Sequence, residues 1–137
     1  MSGKPQVFSS RCPADYEAKG LRAALEQVIE PQIRAYGSVS GKKIMLKPNL
    51  LAWRRAHDPA CVDPAFLLEC AKVFLDAGAE VSILENPAVQ TAPAVIRAMG
   101  LKEPLDKLGV EVKSFTEFAP ARNLPEMRFH NFEIARE

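Results

Sequence analysis

The chain has 137 residues, carries a formal net charge of +1 and is 26% charged. This length predicts a single domain with a hydrophobic core of its own. The near-neutral charge argues against the strongly basic surface that nucleic-acid-binding proteins use. No apolar run reaches the about 18 residues of a membrane-spanning helix, and the first residues do not resemble a secretion signal. We therefore expect a cytoplasmic protein that binds neither nucleic acid nor a membrane.

The cysteines argue against a cofactor held by this chain alone. Cys12, Cys61 and Cys70 are an odd number and contain no Cys-x-x-Cys pair. This spacing is not that of a disulfide framework, a zinc site or an iron–sulfur cluster. We expect Cys70 in the core. Cys61 lies near a predicted helix start, which favours a reactive thiolate, but the neighbouring Asp58 and Asp63 oppose it.

The first half of the chain alternates strand and helix patterns. A short strand is predicted over 6–8, and apolar residues at helical spacing then run from Leu21 to Ile29. Pro31 is expected to break or kink that helix after Glu30. A second strand is predicted over 43–48.

A second helix is predicted between Asp63 and Gly78. Asp63 is a favoured cap with Pro64 directly after it, and Gly78 is suited to the left-handed conformation that ends helices. The face expected to be apolar carries Phe66, Cys70 and Phe74.

The rest of the chain continues the alternation. We predict a third strand over 81–84, a short helix capped by Thr91 and closed by Gly100, a turn over 104–108, a fourth strand over 110–115, a loop over 119–125 and a strand or hairpin over 127–134. Strands joined by helices predict a parallel sheet with right-handed connections. The predicted fold is therefore α/β, a Rossmann-like three-layer sandwich with a mostly parallel sheet of about four strands, in one domain over 1–137. Glycine-rich nucleotide-binding motifs are absent.

Polar residues follow two neighbouring strands of this predicted sheet. Lys47, Pro48 and Asn49 end one strand, and Glu85 and Asn86 end the next. Proline lacks a backbone hydrogen-bond donor, so the predicted strand cannot continue past Pro48 as a central strand of the sheet. Open α/β sheets bind ligands at the carboxyl ends of their strands. We therefore expect these side chains on one edge of the sheet, together with the helix that starts after Asp63.

Two interpretations of this candidate site remain open. In the first, Lys47 anchors a small anion or carboxylate, Asn49 orients it, and Glu85 is a base or metal ligand. Asp63 opposes an anion at its helix start, so a divalent cation held by Asp63 or Glu85 is an alternative. In the second, Lys47 is solvated, Asn49 forms a turn and Asp63 is only a cap. A nucleophile with its base is not recognisable, so no catalytic residue is assigned.

The loop between the candidate strand end and Asp63 is long and contains chemically capable side chains. Trp53, Arg54 and Arg55 suit a lid, a partner contact, or a Trp packed on the sheet edge. His57, Asp58 and Cys61 are possible metal ligands, but their spacing matches no standard zinc pattern.

Several segments together resemble the domain-of-unknown-function 362 family. They are Asp15-Tyr16-Glu17, Lys47 to Leu51, Asp63-Pro64, Ala77 to Val81, and Glu85 to Ala88. The chain departs from the family before Asp63, where Cys61 and Val62 stand in place of hydroxyl residues. The resemblance implies the N-terminal half of a longer domain. It also implies a redox-linked enzyme, because some relatives carry ferredoxin-type cysteine clusters. An iron–sulfur cluster would then come from a missing domain or a partner.

A non-catalytic function is the alternative. A partial sheet exposes strand edges and apolar surface, and such surfaces favour pairing. We therefore also expect a homo-oligomer or a partner chain that completes the sheet.

Overall fold

A computed structural model of the protein describes residues 7–12, 17–52, 60–121 and 133–135. Predictions that fall elsewhere lie outside the described residues. They concern Gln6, Asp15-Tyr16, Trp53 to Asp58 and 122–132.

The described residues form an α/β fold with helices and strands in alternation. In chain order the elements are α1 (Ala18–Tyr36), β1 (Lys43–Leu46), α2 (Pro64–Asp76), β2 (Glu80–Leu84), α3 (Ala92–Ala98), α4 (Lys102–Lys107), β3 (Glu111–Lys113), β4 (Phe118–Pro120) and β5 (Glu133–Ala135). The strands β1, β2 and β3 form a parallel sheet in that order, and β4 pairs with β5 in an antiparallel ribbon. The predicted α/β class, Rossmann-like with a parallel sheet flanked by helices, is confirmed.

One face of the parallel sheet carries the core. Successive strands are added in one direction, so right-handed connections put α2 and α3 on the same face. The register aligns Leu46 with Ile83 and Ile83 with Val112 on that face. The core there includes Leu67, Ala71, Val81, Ile83, Val95, Ile96 and Met99. Two of the three predicted layers are thus seen in the described residues.

The opposite face of the sheet is more open. Met45 and Ser82 are aligned on it; Met45 is 50% exposed and Ser82 is half-buried. The charged residues Lys43 and Glu80 lie beside them, while Leu84 at the carboxyl end is buried. Parallel sheets are usually covered on both faces, so this face is unusual in the described part.

Helix α1 packs against helix α2, which itself lies on the sheet. Leu21 and Leu25 form a second apolar cluster with Val73 of α2. Arg22 adds ion pairs to Glu26 at 2.5 Å and to Asp76 of α2 at 2.8 Å. Partial burial alone would lower the pKa of the Arg22 guanidinium, but its hydrogen bonds to these carboxylates raise it on balance.

The structure does not show a helix break at Pro31, where a break or a kink after Glu30 was predicted. Helix α1 runs through this residue to Tyr36. Pro31 cannot donate to the carbonyl of Gln27, but Gln27 is exposed, so water can satisfy that carbonyl. Beyond the proline, Ile33 packs against the main core, and this contact rewards continuing the helix.

The parallel sheet has three strands in the described residues, where about four were predicted. Val7 and Phe8 are not in a strand, and Val7 is 92% exposed, so no core contact holds this segment extended. The predicted turn over 104–108 overlaps helix α4, because the side chain of Leu105 is fully buried. The predicted loop over 119–125 begins inside β4.

The turn between α2 and β2 depends on a glycine. Gly78 has φ of +84°, as predicted for the residue that ends this helix, and its carbonyl accepts a hydrogen bond from Gly41 N at 2.8 Å. A Cβ atom at this position would meet Ser40 Oγ at 2.9 Å. The turn therefore lies against the loop that leads into β1, which aligns the starts of both strands.

Candidate functional site

An ion pair joins the ends of the two neighbouring strands β1 and β2. Lys47 follows β1, Glu85 follows β2, and Lys47 Nζ lies 2.7 Å from Glu85 Oε2. The side chain of Lys47 is 58% exposed, whereas that of Glu85 is 12% exposed. The sequence placed both residues on one edge of the sheet, and the structure brings them into direct contact.

Both oxygens of Glu85 have partners. Glu85 Oε1 accepts a hydrogen bond from the backbone nitrogen of Asn86 at 2.8 Å, and Oε2 faces Lys47. The backbone nitrogen of Glu85 donates to the carbonyl of Lys113, which ties the strand end to β3. Glu85 is thus a fixed carboxylate, and Lys47 is the exposed, movable member of the pair. The side chain of Asn86 is exposed beside them.

Asn49 closes the loop that follows β1. Its side-chain Nδ2 donates to the carbonyl of Ala60 at 3.1 Å, and its own carbonyl accepts from Val62 N at 2.9 Å. Leu50 and Cys61 form an isolated antiparallel bridge alongside. These bonds join the start and end of the loop, and the ligand-orienting role of Asn49 stays a prediction.

Asp63 is a helix cap. Its Oδ1 accepts hydrogen bonds from Ala65 N at 2.8 Å and from Phe66 N at 3.4 Å, and Pro64 occupies the first turn. The predicted cap is therefore confirmed. A carboxylate that satisfies the helix amides makes this helix start unsuited to a second anion.

The sequence did not indicate the two exposed apolar side chains, Leu51 and Val89, on the chain segments that follow the ion pair. Leu51 is 49% exposed and Val89 is 82% exposed. Ala88 N donates to the carbonyl of Leu51 at 3.1 Å, so the chain segments after Lys47 and after Glu85 run together. The available signal was that apolar residues follow each polar strand end. Each chain segment that leaves the ion pair thus carries an exposed aliphatic side chain, Leu51 after Lys47 and Val89 after Glu85.

The described residues contain no group of three or more His, Cys, Asp or Glu side chains that could hold a metal ion; His57 and Asp58 lie outside them. Cys12 is exposed, and Cys61 and Cys70 are half-buried. Burial raises the pKa of the Cys70 thiol, and this residue packs in the cluster between α1 and α2, in agreement with a core role.

Among the helices that the structure describes, none has the length and apolar character needed to cross a membrane.

Comparison with known proteins gives a family but no reaction. The family model described as "Domain of unknown function (DUF362)" matches residues 44–137, which is more than half of the chain. A curated thylakoid-associated protein from Synechocystis sp. is 28% identical over 102 residues, covering 73% of this chain and 32% of that protein. The chain thus spans about a third of the relative's length. No solved structure is significantly similar to the chain.

Proposed function

The chain belongs to the family "Domain of unknown function (DUF362)", and from this premise we propose that it binds a small carboxylate-bearing ligand at the ends of β1 and β2. In this proposal the chain is the ligand-binding part of a redox-linked enzyme. Lys47 is the anchor for the carboxylate, and Glu85 and Asn86 border it.

The observation that carries the proposal is the contact of Lys47 with Glu85 at neighbouring strand ends. An ammonium has three donors, and Glu85 accepts from one of them. Because Lys47 is 58% exposed, its other N–H groups face solvent and are available to a ligand oxygen. The carboxyl ends of parallel strands are also the edge at which open α/β sheets bind ligands.

The redox part of the proposal is supported by the family resemblance alone. It assigns an iron–sulfur cluster to another domain or a partner chain. A divalent cation beside Glu85 is the alternative cofactor. The proposed location is cytoplasmic; the printed name of the Synechocystis relative associates that protein with thylakoids.

The proposal predicts a stabilising ligand that depends on Lys47. Thermal unfolding is measured with acetate, succinate and inorganic phosphate, each titrated at constant ionic strength. A ligand at about 100 times its Kd adds about 2.7 kcal/mol to the free energy of unfolding. We expect a carboxylate to raise Tm in the wild type and to have no effect on Lys47→Ala.

Lys43→Ala is the matched control. Lys43 is an exposed lysine at the start of β1, whereas Lys47 follows the end of that strand. A carboxylate that raises Tm equally in wild type and Lys47→Ala, or in none of the proteins, contradicts the proposal.

A second candidate function, self-association, is favoured by the open face of the parallel sheet. Met45 is 50% exposed in the middle of that face, and β1 and β3 are edge strands of the described sheet. We propose that a second copy covers this face. Light scattering with size-exclusion chromatography tests this proposal, and a dimer is the expected result.

A further inference from the structure

The ion pair between Lys47 and Glu85 restricts what the proposed site can bind. A ligand carboxylate that accepts from the other N–H groups of Lys47 shares this ammonium with Glu85, whose Oε2 lies 2.7 Å from Lys47 Nζ. Two carboxylates then compete for one positive charge, while Glu85 Oε1 keeps its hydrogen bond from Asn86 N. The ligand must therefore compensate this carboxylate as well as occupy Lys47.

The two members of the pair differ in how easily they lose their partner. An exposed lysine is readily solvated, and an ion pair at a protein surface contributes only about 0–1 kcal/mol. Glu85 is only 12% exposed, so water replaces its cation poorly. Binding of a simple anion therefore costs free energy, because the poorly solvated charge of Glu85 loses part of its compensating positive charge. A ligand that carries its own cation avoids that cost.

We infer that the ligand of this site is a zwitterion, with a carboxylate that accepts from Lys47 Nζ and an ammonium that donates to Glu85 Oε2. This inference rests on the proposed function and narrows its ligand class. Glu85 Oε1 keeps its bond from Asn86 N, so the receiving carboxylate stays oriented. The charges of protein and ligand alternate in the complex, and no charge is left unpaired.

The chain segments that follow Lys47 and Glu85 favour an aliphatic substituent on that zwitterion. Leu51 and Val89 are exposed apolar side chains on the two segments joined by the bond from Ala88 N to the carbonyl of Leu51. Covering them with an aliphatic group removes apolar surface from water. An α-amino acid with a branched apolar side chain has the required groups.

Three compounds separate the charges of such a ligand. Leucine carries both charges, 4-methylpentanoate lacks the amine, and 3-methylbutylamine lacks the carboxylate. Calorimetric titration of the wild type is expected to show leucine binding at least about tenfold more tightly than either analogue. Glycine is expected to bind more weakly than leucine.

Variants assign each charge to its residue. Glu85→Gln is expected to remove the advantage of leucine over 4-methylpentanoate, and Lys47→Ala to remove binding of both. Glu80→Gln is the matched control, because Glu80 is an exposed glutamate at the other end of β2. Circular dichroism establishes that each variant is folded. If Glu85→Gln does not fold, the ligand comparison in the wild type decides alone.

The outcomes keep the inference and the proposed function apart. Equal affinities for leucine and 4-methylpentanoate, both lost in Lys47→Ala, overturn the zwitterion and leave the carboxylate site standing. Equal affinity for 3-methylbutylamine and leucine also overturns it. Failure of all of these compounds, acetate and succinate to bind overturns both.

Discussion

Lys47 and Glu85 are 38 positions apart in the chain and meet because β1 and β2 are neighbours. Local sequence does not bring the two side chains together, although Glu85 Oε1 also accepts from the adjacent Asn86 N. Their contact depends on the register that aligns Leu46 with Ile83, one and two positions before them. A change that shifts β1 against β2 therefore separates the pair even when both residues are kept.

The helix cap made by Asp63 is a local contact, and this makes its contribution to stability predictable. Asp63→Ala removes the acceptor for Ala65 N and Phe66 N, so we expect the free energy of unfolding to fall by about 1 kcal/mol. Urea denaturation followed by circular dichroism measures it.

Asp106→Ala is the control for this effect. Asp106 pairs with Lys102 on the exposed surface of α4, and such a pair contributes about 0.3–0.5 kcal/mol. Equal losses in the two variants would contradict the importance of the cap.

Individual residues were predictable from the sequence where their role is local. Asp63 and Gly78 have types that suit helix ends, and both were assigned correctly. Lys47 and Glu85 were placed on one edge by the order of elements, but their contact depends on register, which the sequence pattern leaves undefined. Asn49 was given two roles, because a carboxamide suits both a ligand and a turn; its bond to the carbonyl of Ala60 shows a contact within the loop, and its role toward a ligand stays a prediction.

At the scale of elements, the contact of α1 with α2 is the main addition to the sheet core. Leu21 is fully buried between these helices, with Leu25 and Val73 around it. The Arg22 ion pair with Asp76 lies at the margin of this contact. The apolar cluster therefore holds the helices together, and the charges orient them.

The packing of α1 predicts a large effect of truncating Leu21. Leu21→Ala leaves a cavity, so we expect a loss of about 2–5 kcal/mol in the free energy of unfolding, measured by chemical denaturation. Val7→Ala is the control, because Val7 is 92% exposed and its loss is expected to change little. A loss below about 1 kcal/mol for Leu21→Ala would show that α1 is only loosely attached.

Helices were easier to predict than strands for a physical reason. Helix caps and turns are set by residues close in sequence, as at Thr91, whose Oγ1 accepts from Ala94 N. A strand needs a partner elsewhere in the chain, and Val7 with Phe8 has the composition of a strand without such a partner. Pro31 predicted a helix break that does not occur, since the packing of Ile33 against the core outweighs the local free-energy cost of a proline.

At the scale of the whole molecule, the open face of the sheet predicts self-association. Light scattering with size-exclusion chromatography is expected to give the mass of a dimer at micromolar concentration. Met45→Lys places a charge in the middle of that face and is expected to give a monomer.

Val89→Lys is the control for charge alone, because Val89 is also exposed but follows the carboxyl end of β2. A wild-type protein that stays monomeric over the whole concentration range removes the second candidate function. A dimer that persists in Met45→Lys would show that the dimer interface lies elsewhere, which contradicts the proposal for this face.

The fold class was predictable because it follows from the alternation of elements along the chain. The number of strands and the open face were not, because both depend on which segments find partners. The composition of β2 shows the difficulty: Val81, Ile83 and Leu84 are all buried, as in a strand covered on both sides, although Ser82 lies on the open face.

The order of strands in the sheet has a consequence for how the protein reaches its native state. Each of β2 and β3 pairs with the strand that precedes it in the chain, and only α2, or α3 with α4, lies between. The entropy lost in closing such connections grows slowly with their length, and no pairing waits for a distant segment. Nascent chains fold from their N-terminal end. Each pairing of the described sheet thus becomes possible once its second strand has left the ribosome, so growth of the sheet can follow translation.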